Sequence, residues 1–344
     1  MSYEVTIGIP IYNTERFIRR CMDSVLVQTY QSIEILVFDD GCTDSSIAIV
    51  EDYQKTHRRG SDIRIIRQTK NLGIGVARNR ILEEARGKYL YYLDADDEIL
   101  PNTIELLYNA AKRINAELIY GSHLRYEEWR KDGKIFSFKY PDRDFLFDDD
   151  FAHFVYEEYG IIQVPVWNIL MQIDFLKMVK LHFPPVNFWE DLAATMFLPT
   201  LAKKVGLLSE ITYIYHCRFG SLSNFQKRSN IHKQEIQSVI NAMSGVKRKC
   251  LNLRGQFFFP QIYKKVMMTH FYIACSILRQ NRIIVPAYTN REIREIMKSP
   301  LSLCEIISFR KAKWTIIVLY FIGILPSFLS VLFIKMLAYT RRLL

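Results

Sequence analysis

Carboxylates stand in this sequence where apolar runs stop. Asp39 and Asp40 follow IEILVF, Asp94, Asp96 and Asp97 follow YLYYL, and Glu190 and Asp191 follow NFW. Neighbouring acids at the end of a buried run repel one another and are costly to desolvate unless something positive lies between them. A plainer alternative exists for the second group, a polar turn leading into the next helix with Asp97 or Asn102 as its N-cap. A further apolar run, VTIGIPI, ends in Tyr12 and Asn13 just after Pro10. An aromatic ring, an amide and two acid pairs at successive run ends offer a base platform and polar contacts of the kind a nucleotide needs. Each end taken singly would be only a turn, since Asp, Asn and Gly favour turns.

The elements that must carry these residues are legible as alternating periods. Residues 5–11, 33–41, 63–68, 88–96 and 117–123 read as strands. Residues 16–28, 43–57, 73–86 and 101–116 have helical spacing. The order strand–helix–strand implies an α/β, Rossmann-like, mostly parallel sheet sandwiched by helices. In such sheets ligands bind beyond the carboxyl ends of the strands, where the acids lie. Residues 121–160 are polar and aromatic and read as a small β excursion with a turn at Lys131–Lys134. Glu190 and Asp191 open an apolar helical run, and residues 207–225 read as a strand followed by a Gly-Ser loop. The chain divides into residues 1–120, 121–226 and a helical extension, 227–344.

That extension differs in charge from the rest. Residues 1–226 hold 26 Lys/Arg against 32 Asp/Glu, and residues 227–344 hold 20 against 4. Such a basic segment suits nucleic acid or an anionic membrane surface. From Trp314 to Ile334 no residue is charged, and Lys311, Lys313, Lys335, Arg341 and Arg342 flank the run. Its 21 residues could cross a hydrocarbon core of about 30 Å, but Pro326 would kink the helix. A kinked span, a re-entrant or interfacial helix pair and a buried helix all fit. Basic flanks on both sides favour a hairpin returning to the cytosolic face. The six cysteines are scattered without a CxxC pair, so neither a zinc site nor a disulfide framework is indicated, in keeping with a reducing compartment.

The stretches IPIYN, FDDGCTDSS, NLGIGVARN, YLDADD and WEDLA, in that order, resemble the family 2 glycosyltransferases with a GT-A fold. The resemblance covers about residues 4–225. WNIL and YHCRFGSLS are similar to the bacterial branch that builds surface polysaccharide, although many members carry lysine where this chain has Ile169. It implies transfer of a sugar from a nucleotide diphosphate sugar, UDP being favoured, to an acceptor hydroxyl with inversion. Mg²⁺ or Mn²⁺ would neutralise the leaving group. Asp96 would be a metal ligand, and Asp94 would touch the metal's waters or the donor ribose. Asp97 would be a helix cap. Tyr12 would stack on the base, Pro10 and Asn13 would shape the turn, and Asp39 or Asp40 would accept the base imide. Arg78 would reach the diphosphate; the alternative is a surface arginine paired with Glu83 or Glu84. Asp191 would be the general base and Glu190 would orient the loop or the acceptor. His216 is a candidate third ligand or a structural residue, and Arg218 and Ser221 could face the diphosphate.

The reading that follows is a peripheral or re-entrant enzyme at the cytoplasmic face of the plasma membrane, adding one sugar to a lipid-linked saccharide. A nucleotidyltransferase would carry a glycine-rich basic loop, which IPIYNTERF lacks. A nucleic-acid binder would interleave accessible aromatics with Lys/Arg, whereas KKVMMTHFYIACSILRQ is patterned as an amphipathic helix, so no nucleic-acid partner is expected. An inactive scaffold would be missing acids that are all present here.

Overall fold

Apolar side chains on both faces of VTIGIPI require cover on both sides, and in the computed structural model all seven residues of this strand are buried. The structure describes residues 3–128, 135–160, 162–218 and 229–341. It divides into one unit of residues 1–155 with 161–226 and another of residues 156–160 with 227–344.

The first unit contains ten strands: β1 (Val5–Ile11), β2 (Ile33–Asp39), β3 (Ile63–Arg67), β4 (Tyr89–Tyr92), β5 (Glu98–Ile99), β6 (Leu118–Glu127), β7 (Ile135–Phe138), β8 (Arg143–Phe145), β9 (Ile169–Gln172) and β10 (Val205–Cys217). They form one sheet in the order β3-β2-β1-β4-β9-β6-β10-β5, with β7 on β6 and β8 on β10. Helices α1 (Ile18–Leu26), α2 (Ser46–Thr56), α3 (Ile74–Glu84) and α4 (Thr103–Ile114) follow the early strands. The shorter α5 (Asp150–His153), α6 (Ile173–Met178), α7 (Glu190–Thr195) and α8 (Leu198–Leu201) come later.

The α/β class is as the alternation implies, but the sheet is mixed. β1 to β4 are mutually parallel, and β10 runs parallel to β6. Between these halves lies β9, antiparallel to both β4 and β6. This strand comes from WNILMQ, a short apolar run with no periodicity of its own. Ile169 pairs with Tyr120 in the middle of the sheet and is buried, so it offers no polar contact where similar sequences carry lysine. The turn at Lys131–Lys134 lies outside the described residues.

The second unit is helical: α9 (Lys233–Leu251), α10 (Phe259–Gln280), α11 (Asn290–Met297), α12 (Leu303–Ser308), α13 (Lys313–Ile324) and α14 (Ser327–Thr340). Two short strands, β11 (Ile231–His232) and β12 (Ile284–Val285), pair in parallel. Capping boxes start α11 at Thr289 with Glu292 and α12 at Ser302 with Glu305. The apolar run 314–334 is two helices broken at Leu325–Pro326, and no described helix is long and apolar enough to cross a membrane. Ser330 Oγ donates to the Ile322 carbonyl at 2.7 Å and ties the two helices together. Gly323 lies so close to α11 that an added Cβ would come within 2.7 Å of the Met297 carbonyl oxygen.

Candidate active site

The strand β4 delivers Asp94 and Asp96 just past its carboxyl end, and α3 brings Arg78 to meet them. Gly73 opens α3 with φ +96, a backbone that L side chains rarely adopt, and an added Cβ on Gly75 would meet the Pro184 carbonyl at 2.4 Å. The helix therefore lies close against that loop. One turn on, Arg78 is 3% exposed. Its Nη2 donates to Asp94 Oδ1 at 3.1 Å, and its Nη1 donates to Glu190 Oε1 at 2.8 Å and to Asp191 Oδ1. Residues from α3, the β4 turn and α7 thus converge on one guanidinium.

Three carboxylates around one arginine leave negative charge in excess. Burial raises the proton affinity of Asp191, against the pull of Arg78, and Glu190 and Asp94 raise it further. Asp94 is raised for the same reason, with Arg78 opposing and Asp96 adding. The three acids in turn hold Arg78 firmly charged. Asp191 also accepts a hydrogen bond from the Val166 backbone N–H.

Asp96 carries its own cation. Arg218, at the end of β10, donates to Asp96 Oδ2 from Nε at 3.0 Å and from Nη2 at 2.7 Å, and lies 4.1 Å over the Phe17 ring. Arg20 donates to the Asp96 carbonyl at 2.6 Å. The site thus contains Asp94, Asp96, Glu190 and Asp191 against Arg78 and Arg218. Among the described residues no three His, Cys, Asp or Glu side chains converge as a complete metal cage.

Asp97 does not cap a helix. It is buried; Tyr213 Oη donates to its Oδ2 at 2.6 Å and the His216 backbone N–H to its Oδ1 at 2.7 Å. It therefore fastens the β4 turn to β10. Burial and the neighbouring Asp96 and Asp94 push its proton affinity well up. His216 lies between carboxylates, with Nε2 2.7 Å from Glu98 and Nδ1 3.1 Å from Glu128. The surface-arginine alternative for Arg78 is also displaced, because Arg80 makes the pairs with Glu83 and Glu84. Ser221 lies outside the described residues.

At the β1 and β2 ends, Pro10 is buried opposite Phe38 and Tyr12 is exposed. Asn13 takes φ +50, and its Oδ1 accepts from the Thr43 N–H at 2.8 Å, joining the two strand ends. Asp39 Oδ1 accepts from the Cys42 N–H at 2.8 Å. Both Asp40 oxygens hold the loop before α3, accepting from Leu72 N and Gly73 N at 2.9 Å each and from Gln68 Nε2 at 2.6 Å. Asp40 is thus committed to the loop before α3.

Residues on β6 and beside β9 went unnoticed in the sequence. Trp167, next to the Val166 that bonds Asp191, stacks on Tyr213 and Tyr215 at 4.6 and 5.4 Å and meets His123 edge-on at 4.9 Å. Phe138 stacks on His123 at 5.1 Å. His123, Arg125, Glu127, Phe136, Ser137 and Phe138 line a cleft of about 310 Å³. The signal was a period of two on β6, which sets His123, Arg125 and Glu127 on one face.

Residues 6–158 match the family described as Glycosyl transferase family 2. Those residues are similar to a family 2 glycosyltransferase domain. The chain is 29% identical to Glycosyltransferase GlyG of Streptococcus pneumoniae over 231 residues, 64% of this chain and 73% of that protein. It is 26% identical to the Cholesterol galactosyltransferase of Borreliella burgdorferi over 284 residues, 79% of this chain and 76% of that one. Its fold is that of Staphylococcus aureus TarS 1-349, solved in complex with UDP-GlcNAc, with a TM-score of 0.67 at 17% identity over 93% of this chain and 90% of that one.

Proposed function

We propose that this glycosyltransferase moves a hexosyl or N-acetylhexosaminyl group, with inversion, from a UDP-sugar to a hydroxyl of a lipid-linked saccharide at the cytosolic membrane face. The product would be part of a surface polysaccharide. The observation that carries the reading is Arg78, which ties the acid at the donor end, Asp94, to Glu190 and Asp191 on α7. A relative named for transfer to cholesterol and a fold neighbour solved with UDP-GlcNAc support the lipid acceptor and the UDP donor.

The donor set fits a divalent cation. Asp94 and Asp96 offer hard oxygen ligands of the kind Mg²⁺ or Mn²⁺ shares with phosphate oxygens, and the cluster has spare negative charge. When bound, Mg²⁺ or Mn²⁺ would neutralise charge developing on the departing diphosphate. Arg218 donates to Asp96 from Nε and Nη2, and a guanidinium so placed would suit a bidentate phosphate contact.

Asp191 takes the proton of the acceptor hydroxyl as that oxygen bonds to the anomeric carbon. The bond to the diphosphate oxygen breaks on the opposite face, and its electron pair leaves with the UDP. Burial raises Asp191 toward the range where a base works near neutral pH, while Arg78 limits the rise and fixes the carboxylate. Glu190 shares Arg78 and holds α7 in register. In the cleft, Phe136, Phe138 and His123, the last backed by the buried Trp167, offer apolar faces to a sugar ring, and the Arg125–Glu127 pair offers polar contacts to its hydroxyls.

Calorimetric titration of UDP with and without Mn²⁺, on wild type and Asp96→Ala, tests this. The expected result is metal-dependent binding that the substitution abolishes. Binding of another nucleoside diphosphate in place of UDP would overturn the donor, and no binding of any would overturn the reading.

A further inference from the structure

The helical pair α13–α14 has two unlike faces. Ile316, Leu319, Ile322, Val331, Ile334 and Ala338 are buried. The opposite face leaves large apolar side chains in water: Trp314, Val318, Phe321 and Ile324 on α13, and Phe328, Leu332, Phe333, Met336 and Tyr339 on α14. These nine are drawn from only 22 exposed large hydrophobic residues among all those described, so the exposure is concentrated on one hairpin. Spacings of three and four put each set on one helical face, apart from Phe333, which adjoins Leu332 and widens the α14 face. Trp314 is 73% exposed, Phe328 64% and Tyr339 80%. Scattered exposed apolar residues need no explanation, but a contiguous patch of this kind marks an interaction surface.

Charge and length select the partner. No acid occurs after Glu305, while Arg310, Lys311, Lys313, Lys335, Arg341 and Arg342 lie along the same stretch. Arg310, Lys311 and Lys313 precede or open α13 and Arg341 follows α14, Lys335 is exposed midway along α14, and the bend at Ile324–Phe328 has no cation. A tryptophan stands at the start of α13 and a tyrosine near the end of α14, residue types that favour the boundary between headgroups and acyl chains. At 12 and 14 residues the helices are roughly 18 and 21 Å long, short of the roughly 30 Å hydrocarbon core. The hairpin cannot cross a bilayer, but it has the apolar face and basic surround of a segment that lies in its surface.

We propose that the outer face of α13 and α14 docks this protein side-on to an anionic lipid bilayer, with Trp314, Phe321, Phe328 and Leu332 seated among the acyl chains and the flanking lysines and arginines on the headgroups. The inference is independent of the sugar chemistry. It makes the protein monotopic, held by a pre-folded apolar face.

Flotation of the full chain with vesicles tests it, using phosphatidylcholine alone and phosphatidylcholine mixed with phosphatidylglycerol. Wild type should float with the mixed vesicles, and the double variant Phe321→Glu/Phe328→Glu should lose at least about tenfold in partitioning, since both side chains give up apolar burial. Lys335→Gln should weaken binding to mixed vesicles about fivefold. Should the double variant misfold, a blue shift of Trp314 emission on adding vesicles to wild type, assigned by its loss in Trp314→Phe, reads the same contact. Wild type that stays unbound with both vesicle types overturns the proposal. So does a dimer that fails to float and that Phe321→Glu/Phe328→Glu splits, because the face would then join two copies of the chain.

Discussion

In the first unit Arg78 sits almost out of reach of water with three carboxylates around it, whereas in the second Phe328 leaves most of its surface in water with no partner. Each arrangement is costly by itself. Buried charge loses hydration, and the attraction it gains repays this only when the geometry is good. An exposed apolar face orders water and invites association. Neither cost is needed for folding, since the sheet core and the α10 packing are conventional apolar burial. The difference teaches where to look for function in each unit: a polar cluster buried beside strand ends prepares chemistry, and an apolar face left open prepares contact.

The sharpest way to break the first half of that comparison is Asp191→Asn. The amide keeps the shape and can still accept from Arg78, but it cannot take a proton. UDP release from a UDP-sugar should fall about 10²- to 10⁴-fold, with nucleotide affinity unchanged. The melting temperature should hold, because a half-buried negative charge has been removed from a cluster with too many. Activity within tenfold of wild type would make the cluster a structural device and no more.

Arg78→Met probes the same cluster from its positive side. Without the guanidinium, one buried and two half-buried carboxylates face one another, and losing the buried cation of such a cluster costs up to about 3–5 kcal/mol. For a unit of this size that corresponds to about 6–20 °C in melting temperature. Adding Glu190→Gln and Asp191→Asn to Arg78→Met should recover much of the loss. If the single variant melts with wild type, Arg78 is not the hub that the geometry makes it.

Much of this was legible because local signals and the fold agree. The strands that became β1 to β4 are apolar runs ending in turn residues, and the acids sit where those runs stop. What could not be read depends on partners distant in sequence. Asp97 has the context of a cap, yet its two donors come from β10, and Tyr213 is 116 residues away. Arg78 has Glu83 and Glu84 at helical distance, and only the arrival of α7 shows that its partners lie 112 and 113 residues on. β9 has no period to announce it, and its place between β4 and β6 turns an apparently parallel sheet into a mixed one. Pro326 correctly signals a break. Whether the halves lie together or in line is settled by Gly323 against α11 and by Ser330 against Ile322.

The smallest expected effect sharpens the comparison from the second unit's interior. His270 on α10 is 1% exposed; its Nδ1 bonds the Val266 carbonyl at 2.8 Å and its Nε2 has no hydrogen-bond partner. Burial, with Lys247 nearby, lowers its pKa to about 3, although the Val266 carbonyl opposes the shift. The sign follows from where the proton binds more readily. The unfolded chain takes it up near pH 6.5 and the folded chain only near 3, so above 6.5 the group contributes no pH dependence. Below that, stability falls by at most about 1.4 kcal/mol per pH unit, or about 2 kcal/mol between pH 6.5 and 5. His270→Met, an apolar side chain of similar size, should remove this part of the acid sensitivity, so its melting curve should gain on wild type between pH 7 and 5. His123 in the first unit, lowered to about 4 by burial and by Arg125, remains in both proteins and cancels in the difference. Equal pH slopes for variant and wild type would mean that the second unit, besides exposing an apolar face, lets water reach the one histidine its helices enclose on α10.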